Sequence, residues 1–442
     1  MNSTPKNADS NNTIKPSFFA KTSPFDTKQS RVFHRFFQII AAGTVVAMIG
    51  IIIYYVYAFA SLYNGNHNFD WLLGIFSDFV EIMSISLGES PYLVEGASYT
   101  PIAIMILYPF ALICKNAIHA YSESTSDIEA LTAKVVLEPS FWVALVLFFL
   151  ICSLVIILIT IKMYHLDAKN ALKIAITILF SAPFVFAIMR GNTIYFALIF
   201  LLLFLLLYQS QNAVVREVAY LCLVLAGLIK IYPLFFGVFL LHRKKIAASF
   251  RVAIYFFALF FLSFFLFKAG WGDVSPFLQN LGNFASDEER LLGLTNLSLS
   301  SVIYKIVYLF SHNVARSTAF HGIQLGFVIL LFLFCTVLAI RTKSQFSRSL
   351  IAAAIILLIP TVSYFYVLTF MLIPIMEFFK HYNSFTKAKQ IRCLILFGSL
   401  FFSPLLLFGC FVPQSIVVML LLGLECRDVI QAEGFLLNKK TP

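Results

Sequence analysis

The chain has 442 residues, 60% of them hydrophobic and 12% charged, with a mean hydropathy of +0.89. Soluble domains run at about 45–50% apolar and about 25% charged, so this composition excludes a soluble globular protein and requires a polytopic membrane protein. The net charge of +11 does not point to nucleic acid, because the basic residues stand in short runs between apolar stretches, as orientation in a bilayer requires; contact with anionic lipid accounts for the excess.

Residues 1–30 are polar, rich in Asn, Ser, Thr and Lys, and have no apolar core. They read as a disordered tail and not as a signal peptide. Lys28, Arg31 and Arg35 abut the first span, expected over Phe36 to Leu62, and put the N-terminus in the cytoplasm. A first outer loop over 63–98 follows. It carries Asp70, Asp78, Glu81, Glu89 and Glu95 and no Lys or Arg, which suits the far side of a membrane. Apolar residues at helical spacing from Trp71 to Leu87 predict a helix lying on the outer leaflet.

A second span is expected over Tyr99 to Ile113, an inside loop over Lys115 to Pro139, and a third span over Phe141 to Ile161. Simple alternation then puts Lys162, Lys169 and Lys173 outside, against the positive-inside rule. Spans four and five cover Ile174 to Met189 and Thr193 to Tyr208. Span six runs from Val218 to Leu241 and ends in His242-Arg243-Lys244-Lys245, a cytoplasmic marker, and span seven covers Ile246 to Phe267. A second outer loop over 268–320 holds Asp273, the acidic patch Asp287-Glu288-Glu289 and an expected interfacial helix from Ser301 to Phe310. Span eight covers Gly322 to Ile340. Leu350 to Phe379 is too long for one span and splits in two at Pro360 and Pro374. Cys393 to Leu424 again holds two spans, broken near Pro413. Arg427, Lys439 and Lys440 leave a cytoplasmic C-terminal tail at 431–442. At about 20 residues per span, about a dozen spans form a single membrane domain over 31–430.

The seven cysteines lie mostly inside apolar runs without C-x-x-C spacing, so neither a disulfide framework nor a zinc site is expected. No cluster has metal spacing and no nucleotide-binding loop is present. Asp78 is placed to act as a general base at the outer face, or simply to be a solvated loop carboxylate or a helix N-terminal residue; Asp70 is equivalent on spacing, and Glu81 and Glu95 carry less weight. Lys230 lies between apolar flanks near the middle of expected span six, where an ammonium costs at least about 2.5–3.5 kcal/mol. It needs a polar cavity and an anionic headgroup such as a phosphate, or a structural carboxylate such as Glu377. Arg190-Gly191-Asn192 is a polar step between spans, or a tight turn with a basic flank. Tyr364 and Tyr366 suit an aromatic belt, and Asn296 and Ser298 either donate hydrogen bonds to a sugar or shape a loop.

In order along the chain, Ser77-Asp78-Phe79, Gly88-Glu89-Ser90-Pro91-Tyr92 and Tyr99-Thr100-Pro101, then Arg190-Gly191-Asn192, Gly227-Leu228-Ile229-Lys230-Ile231-Tyr232-Pro233, Asn296-Leu297-Ser298-Leu299 and Ser363-Tyr364-Phe365-Tyr366 resemble the motifs of glycosyltransferase family 87. These are polyprenol-phosphate-mannose-dependent mannosyltransferases of the GT-C membrane fold. Three features depart: the helix from Asp78 to Gly88 is about one turn shorter than in the family, Thr100 replaces the first proline of a Tyr-Pro-Pro motif, and Tyr366 stands where the family often has histidine. The resemblance implies inverting transfer of a hexose, mannose by analogy, from a polyprenyl-phosphate donor to a lipid or glycan acceptor at the outer face of the plasma membrane. Asp78 would be the base, Lys230 would meet the anionic headgroup, and Tyr99, Arg190, Asn192, Asn296, Ser298, Tyr364 and Tyr366 would line the substrate site. No metal or other cofactor is implied; the lipid-linked sugar is the substrate. Two other readings stay open: a transporter or flippase with Lys230 in its substrate site, and a polysaccharide polymerase or ligase, to which Arg290, His312, Arg316 and His321 in the second loop would belong.

Overall fold

The computed structural model describes residues 31–43, 45–46, 49, 75–89, 91–93, 97–122, 125, 127–293, 295–402 and 412–432. Asp70, Glu95, Trp71, both chain tails and most of the expected first span lie outside them. Among the described residues the protein is built from helices, with only an isolated bridge between Asn296 and Tyr364 for β structure.

The first helix, α1, covers residues 31–43. A group of short helices follows: α2 (Ser77–Leu87), α3 (Pro101–Met105), α4 (Tyr108–Ser122) and α5 (Ile128–Val135). Then α6 (Pro139–Tyr164) runs for 26 residues, about 39 Å at 1.5 Å per residue. Proline at its first position and lysine in its last turn suit its two ends. Helices α7 (Ala168–Phe180) and α8 (Ala182–Arg190) are bent by 50° at Ser181, ahead of Pro183, and α9 (Ile194–Leu207) and α10 (Ala213–Ile229) come next. A 3-10 turn, Tyr232–Gly237, leads into α11 (Val238–His242) and α12 (Ile246–Ser263). Helices α13 (Val274–Ser286), α14 (Glu288–Leu292), α15 (Leu299–Phe310) and α16 (His312–Ala315) form the second loop region. Finally come α17 (Thr318–Arg341), α18 (Gln345–Leu358), the 3-10 stretch Phe365–Met371, α19 (Leu372–Lys380), α20 (Lys387–Phe401) and α21 (Val412–Ala432). By length and composition α6, α12 with its 3-10 extension to Leu266, and α17 can each cross a membrane, and the bent pair α7–α8 adds a fourth. Their outer faces are apolar and exposed, as at Leu150, Phe257 and Leu330, which in an all-α membrane protein is where lipid lies.

The helices share two ends. One gathers the basic residues. Lys380 stands over the Tyr164 ring, His242 meets the carbonyl of Ile340, Arg348 donates to the carbonyls of Ala339 and Thr342, and Lys389 pairs with Glu425 and Asp428. Phe33 of α1 packs edge-on against Phe379 there. The other end carries Asp78 and the loops.

Two expectations about topology are corrected by these contacts. The segment from Tyr99 to Pro139 does not cross to the basic end. Helix α2 packs against α4 and α5, Phe76 and Phe79 pack on Phe141 at the start of α6, and Tyr121 donates to Glu138 at 2.6 Å. So the residues expected inside, 115–139, lie at the Asp78 end, and α6 runs from there to the basic end. Lys162, Lys169 and Lys173 consequently join the other basic residues, which removes the conflict with the positive-inside rule. Helix α2 itself is buried along one side, from Asp78 to Ser86, and does not lie on a lipid surface.

The second correction concerns expected span six. The chain reverses at Lys230, whose φ of −144° and ψ of 122° end α10. Gly237 faces Leu223 and Gly227 faces Leu234 across the turn, while Arg216 and Lys245 come together at the basic end. Lys230 is thus the tip of a broken helical hairpin and not the midpoint of a straight helix. Helix α18 and the Phe365–Lys380 arm pack together as a second hairpin, with Pro360 to Tyr364 at its tip. Pro360 acts as the expected break, whereas Pro374 sits in the first turn of α19 and continues the helix.

Candidate active site

Asp78 sits in the first turn of α2, where the exposed amides of a helix start favour a carboxylate. It is 6% exposed. One oxygen accepts from Nη2 of Arg190 and the other from Nδ2 of Asn192 at 2.7 Å. The tripeptide Arg190-Gly191-Asn192 supplies both donors because Gly191 is left-handed, at φ 60°, and turns the chain sharply at the end of α8. A β-carbon at Gly191 would collide with the Cβ of Phe79, so this close approach requires glycine. Asn192 is fully buried, and its Oδ1 accepts from the Ile194 amide at 3.0 Å at the start of α9. Phe76, just before α2, is also left-handed at φ 67° and is held there by its amide donating to Met189 O at 2.8 Å. Backbone strain of this kind in a bulky residue concentrates at functional sites.

Lys230 brings its ammonium to 5.0 Å from the centre of the Tyr99 ring and 5.7 Å from that of Tyr366. It makes no salt bridge among the described residues. Glu377, the carboxylate considered as its structural partner, lies at the basic end beside Lys380 and His381. Thr100 caps α3 and donates to the carbonyl of Leu228, a bond that a proline at that position cannot make. The departure from Tyr-Pro-Pro therefore fastens the first loop to the Lys230 hairpin.

Asn296 and Ser298 belong to a latch beside this cluster. The amide of Asn296 donates to Arg290 O at 3.0 Å and Thr361 O at 3.1 Å and accepts from the amides of Ser298 and Ser363, each at 3.0 Å. Its hydrogen-bonding capacity is fully used. Ser298 donates to Thr361 O at 2.7 Å and caps α15 through Ser301. The latch ties the second loop to the tip that carries Tyr364 and Tyr366, and the phenol of Tyr364 accepts from Arg290 at 3.3 Å.

Arg290 and Glu81 complete the set. Both lie within electrostatic reach of the centre: Glu81 interacts with Asp78, Arg190, Arg290 and Lys230. Burial, and then the charge of Asp78, push the Glu81 carboxyl up to about 7, against the pull of the three cations. On the sequence alone Glu81 carries little weight, and Arg290 belongs only to the polymerase reading. Spacing three residues beyond Asp78 was the available signal for Glu81, whereas nothing in the sequence ties Arg290 to this site. Arg190 pairs with Asp78 and Arg290 with Asp287 at 2.9 Å, which leaves Lys230 as the cation of this cluster with no salt bridge among the described residues, fit to meet a phosphate. A groove of about 660 Å³ begins beside the tip, at Ile231 and Tyr232, and runs past Phe235, Val252, Phe256 and Phe332.

A model of glycosyltransferase family 87 matches residues 98–361, more than half of the chain. The chain belongs to glycosyltransferase family 87. It is therefore a membrane glycosyltransferase, and the matched part of this family 87 protein includes Tyr99, Arg190, Asn192, Lys230, Asn296 and Ser298. Asp78 lies before the matched segment, and Tyr364 and Tyr366 lie just after it. No curated protein and no solved structure matches the chain.

Proposed function

We propose that this family 87 protein transfers a hexose, mannose by family analogy, from a polyprenyl-phosphate donor to a hydroxyl of a lipid or glycan acceptor, with inversion at the anomeric carbon. The observation that carries the reading is the seating of Asp78 between Arg190 and Asn192, next to an ammonium, Lys230, that has no carboxylate bound to it among the described residues. The acceptor O–H bond breaks as its oxygen bonds to the anomeric carbon, and the proton goes to the carboxylate. The bond from that carbon to the phosphate oxygen breaks, and its electron pair leaves with the phosphate. The leaving phosphate gains one negative charge as the carboxylate loses one, and Lys230, Arg190 and Arg290 stabilise that gain. The apolar groove beside Lys230 supports an isoprenoid chain as the anchor of the donor. In the GT-C arrangement of about a dozen spans, with the Asp78 end outward, the basic end faces the cytoplasm of a plasma membrane, as the positive-inside rule asks.

The test uses purified protein in detergent with labelled polyprenyl-phosphate mannose and a lipid acceptor extract. Wild type consumes the donor, and Asp78→Asn loses at least about 10²–10⁴-fold while still folding and inserting in the membrane. An active Asp78→Asn enzyme would refute the base assignment. A wild type that leaves the donor intact but moves it across sealed vesicles would favour the transporter reading, to which the broken hairpins also belong.

A further inference from the structure

The two carboxylates of α2 live in different surroundings. Both oxygens of Asp78 are occupied, by Arg190 and Asn192. Glu81 is one turn further on the same helix face, is partly buried, and accepts no hydrogen bond from the described residues. The charged and titratable groups facing it come from five elements: Asp78 on α2, Arg190 at the end of α8, Lys230 at the hairpin tip, Arg290 on α14, and Tyr99 ahead of α3.

A proton placed on Asp78 weakens its charge-assisted bonds to Arg190 and Asn192. A proton on Glu81 breaks no bond to a described residue. It also removes one of two like charges on adjacent turns; burial, and after it this repulsion, holds the Glu81 carboxyl up at about 7. Carboxylate pairs whose surroundings differ in this way divide acid–base work between them, and a group that titrates near neutral pH is the better proton carrier there.

We propose that Glu81 is the proton-accepting partner of Asp78: the proton leaving the acceptor hydroxyl passes from Asp78 to Glu81 and from Glu81 to water. This rests on the transferase reading. The transfer is a movement of one proton between two carboxylates. It restores the Asp78 anion, with both donors in place, while the phosphate departs, and the released proton balances the charge gained by the polyprenyl phosphate.

The experiment is the pH dependence of donor consumption by wild type, Glu81→Gln and Glu81→Asp, with melting temperatures measured alongside. The expected wild-type rate rises with pH along a limb near 7. Glu81→Gln is expected to be at least about 10-fold slower in kcat, to lose that limb, and to keep the donor KM within a few-fold. Glu81→Asp is expected to recover part of the rate with a displaced limb. A Glu81→Gln enzyme with the wild-type rate and limb overturns the proposal, and so does one that changes KM alone. Should Glu81→Gln fail to fold, Glu81→Asp decides: a slowed rate with a displaced limb supports the relay, and a wild-type profile sinks it. A wild type that consumes no donor ends the transferase reading and this inference together. An active wild type with an inactive Asp78→Asn keeps the transferase reading whatever Glu81 does.

Discussion

Asp78 and Arg190 are 112 residues apart in the chain, and their pairing shows how little an isolated polar residue in an apolar sequence says about its surroundings. As a loop carboxylate Asp78 has no defined role. Held by a guanidinium and a buried amide, next to an ammonium, it has a fixed direction and a reason to bear charge. Lys230 is the complementary case: its polarity demanded a partner, and the structure surrounds it with two aromatic rings and two carboxylates within electrostatic reach. Lys230→Met is expected to raise the donor KM about 10-fold or more, the loss of a charge-assisted contact of about 1.5–3 kcal/mol, with less effect on kcat. Steady-state kinetics over a range of donor concentrations checks it. Glu81 makes a separate prediction for stability. Its carboxyl is raised from 4.5 to about 7 in the folded chain, so the folded state holds that proton more tightly than the unfolded state does. Stability from this group is therefore fully present below about 4.5, falls as pH rises through about 7 and is level above. The loss is at most on the order of 3–4 kcal/mol. Glu81→Gln should remove that slope, read as the difference between wild-type and variant melting temperatures from about pH 5 to pH 8.

At the scale of elements, the site is made by places where helices stop. Helix α8 stops at Gly191, α10 stops at Lys230 ahead of Pro233, and α18 gives way at Pro360. Each stop frees backbone groups and turns side chains toward a common space. The contact of Gly191 with Phe79 sets how α2 meets α8. Gly191→Ala combines a left-handed backbone with a collision at Phe79 and should destabilise by about 1–3 kcal/mol. It should also lower transfer by displacing Asp78 from its donors. A melting curve and a donor-consumption assay on one preparation check both effects. Much of this scale was legible in the sequence. The break at Pro360 fell where expected, and the helix expected from Ser301 to Phe310 is α15, one of whose faces is exposed at Leu309 and Phe310. Pro374 was misread because proline in a first turn is compatible with a helix. Asn296 and Ser298 read as polar loop residues, and the structure engages them with carbonyls 63 and 65 residues away, a pairing with no local signature.

For the whole molecule the instructive error is the direction of α6. Hydropathy alone marks Tyr99 to Ile113 as a span, because a buried apolar helix and a lipid-facing one have the same composition. Packing decides between them: α4 lies among α2, α5 and α6 and its 15 residues reach only about 22 Å. Removing that crossing returns Lys162, Lys169 and Lys173 to the basic end. Single cysteines replacing Lys169 and Lys244 should therefore react with a membrane-impermeant reagent from the same side of sealed vesicles, and a cysteine replacing Lys268 from the opposite side. Reaction of Lys169→Cys from the Lys268 side would restore the alternation expected from hydropathy. The sequence by itself determined that this is an all-α membrane protein of family 87, because composition, the order of short motifs and the grouping of basic residues are properties of the chain. Only the tertiary structure decided that Lys230 is a hairpin tip, that Arg290 and Glu81 join Asp78, and which way α6 runs. Those facts depend on contacts between residues distant in sequence, and such contacts arise from packing that no local pattern encodes.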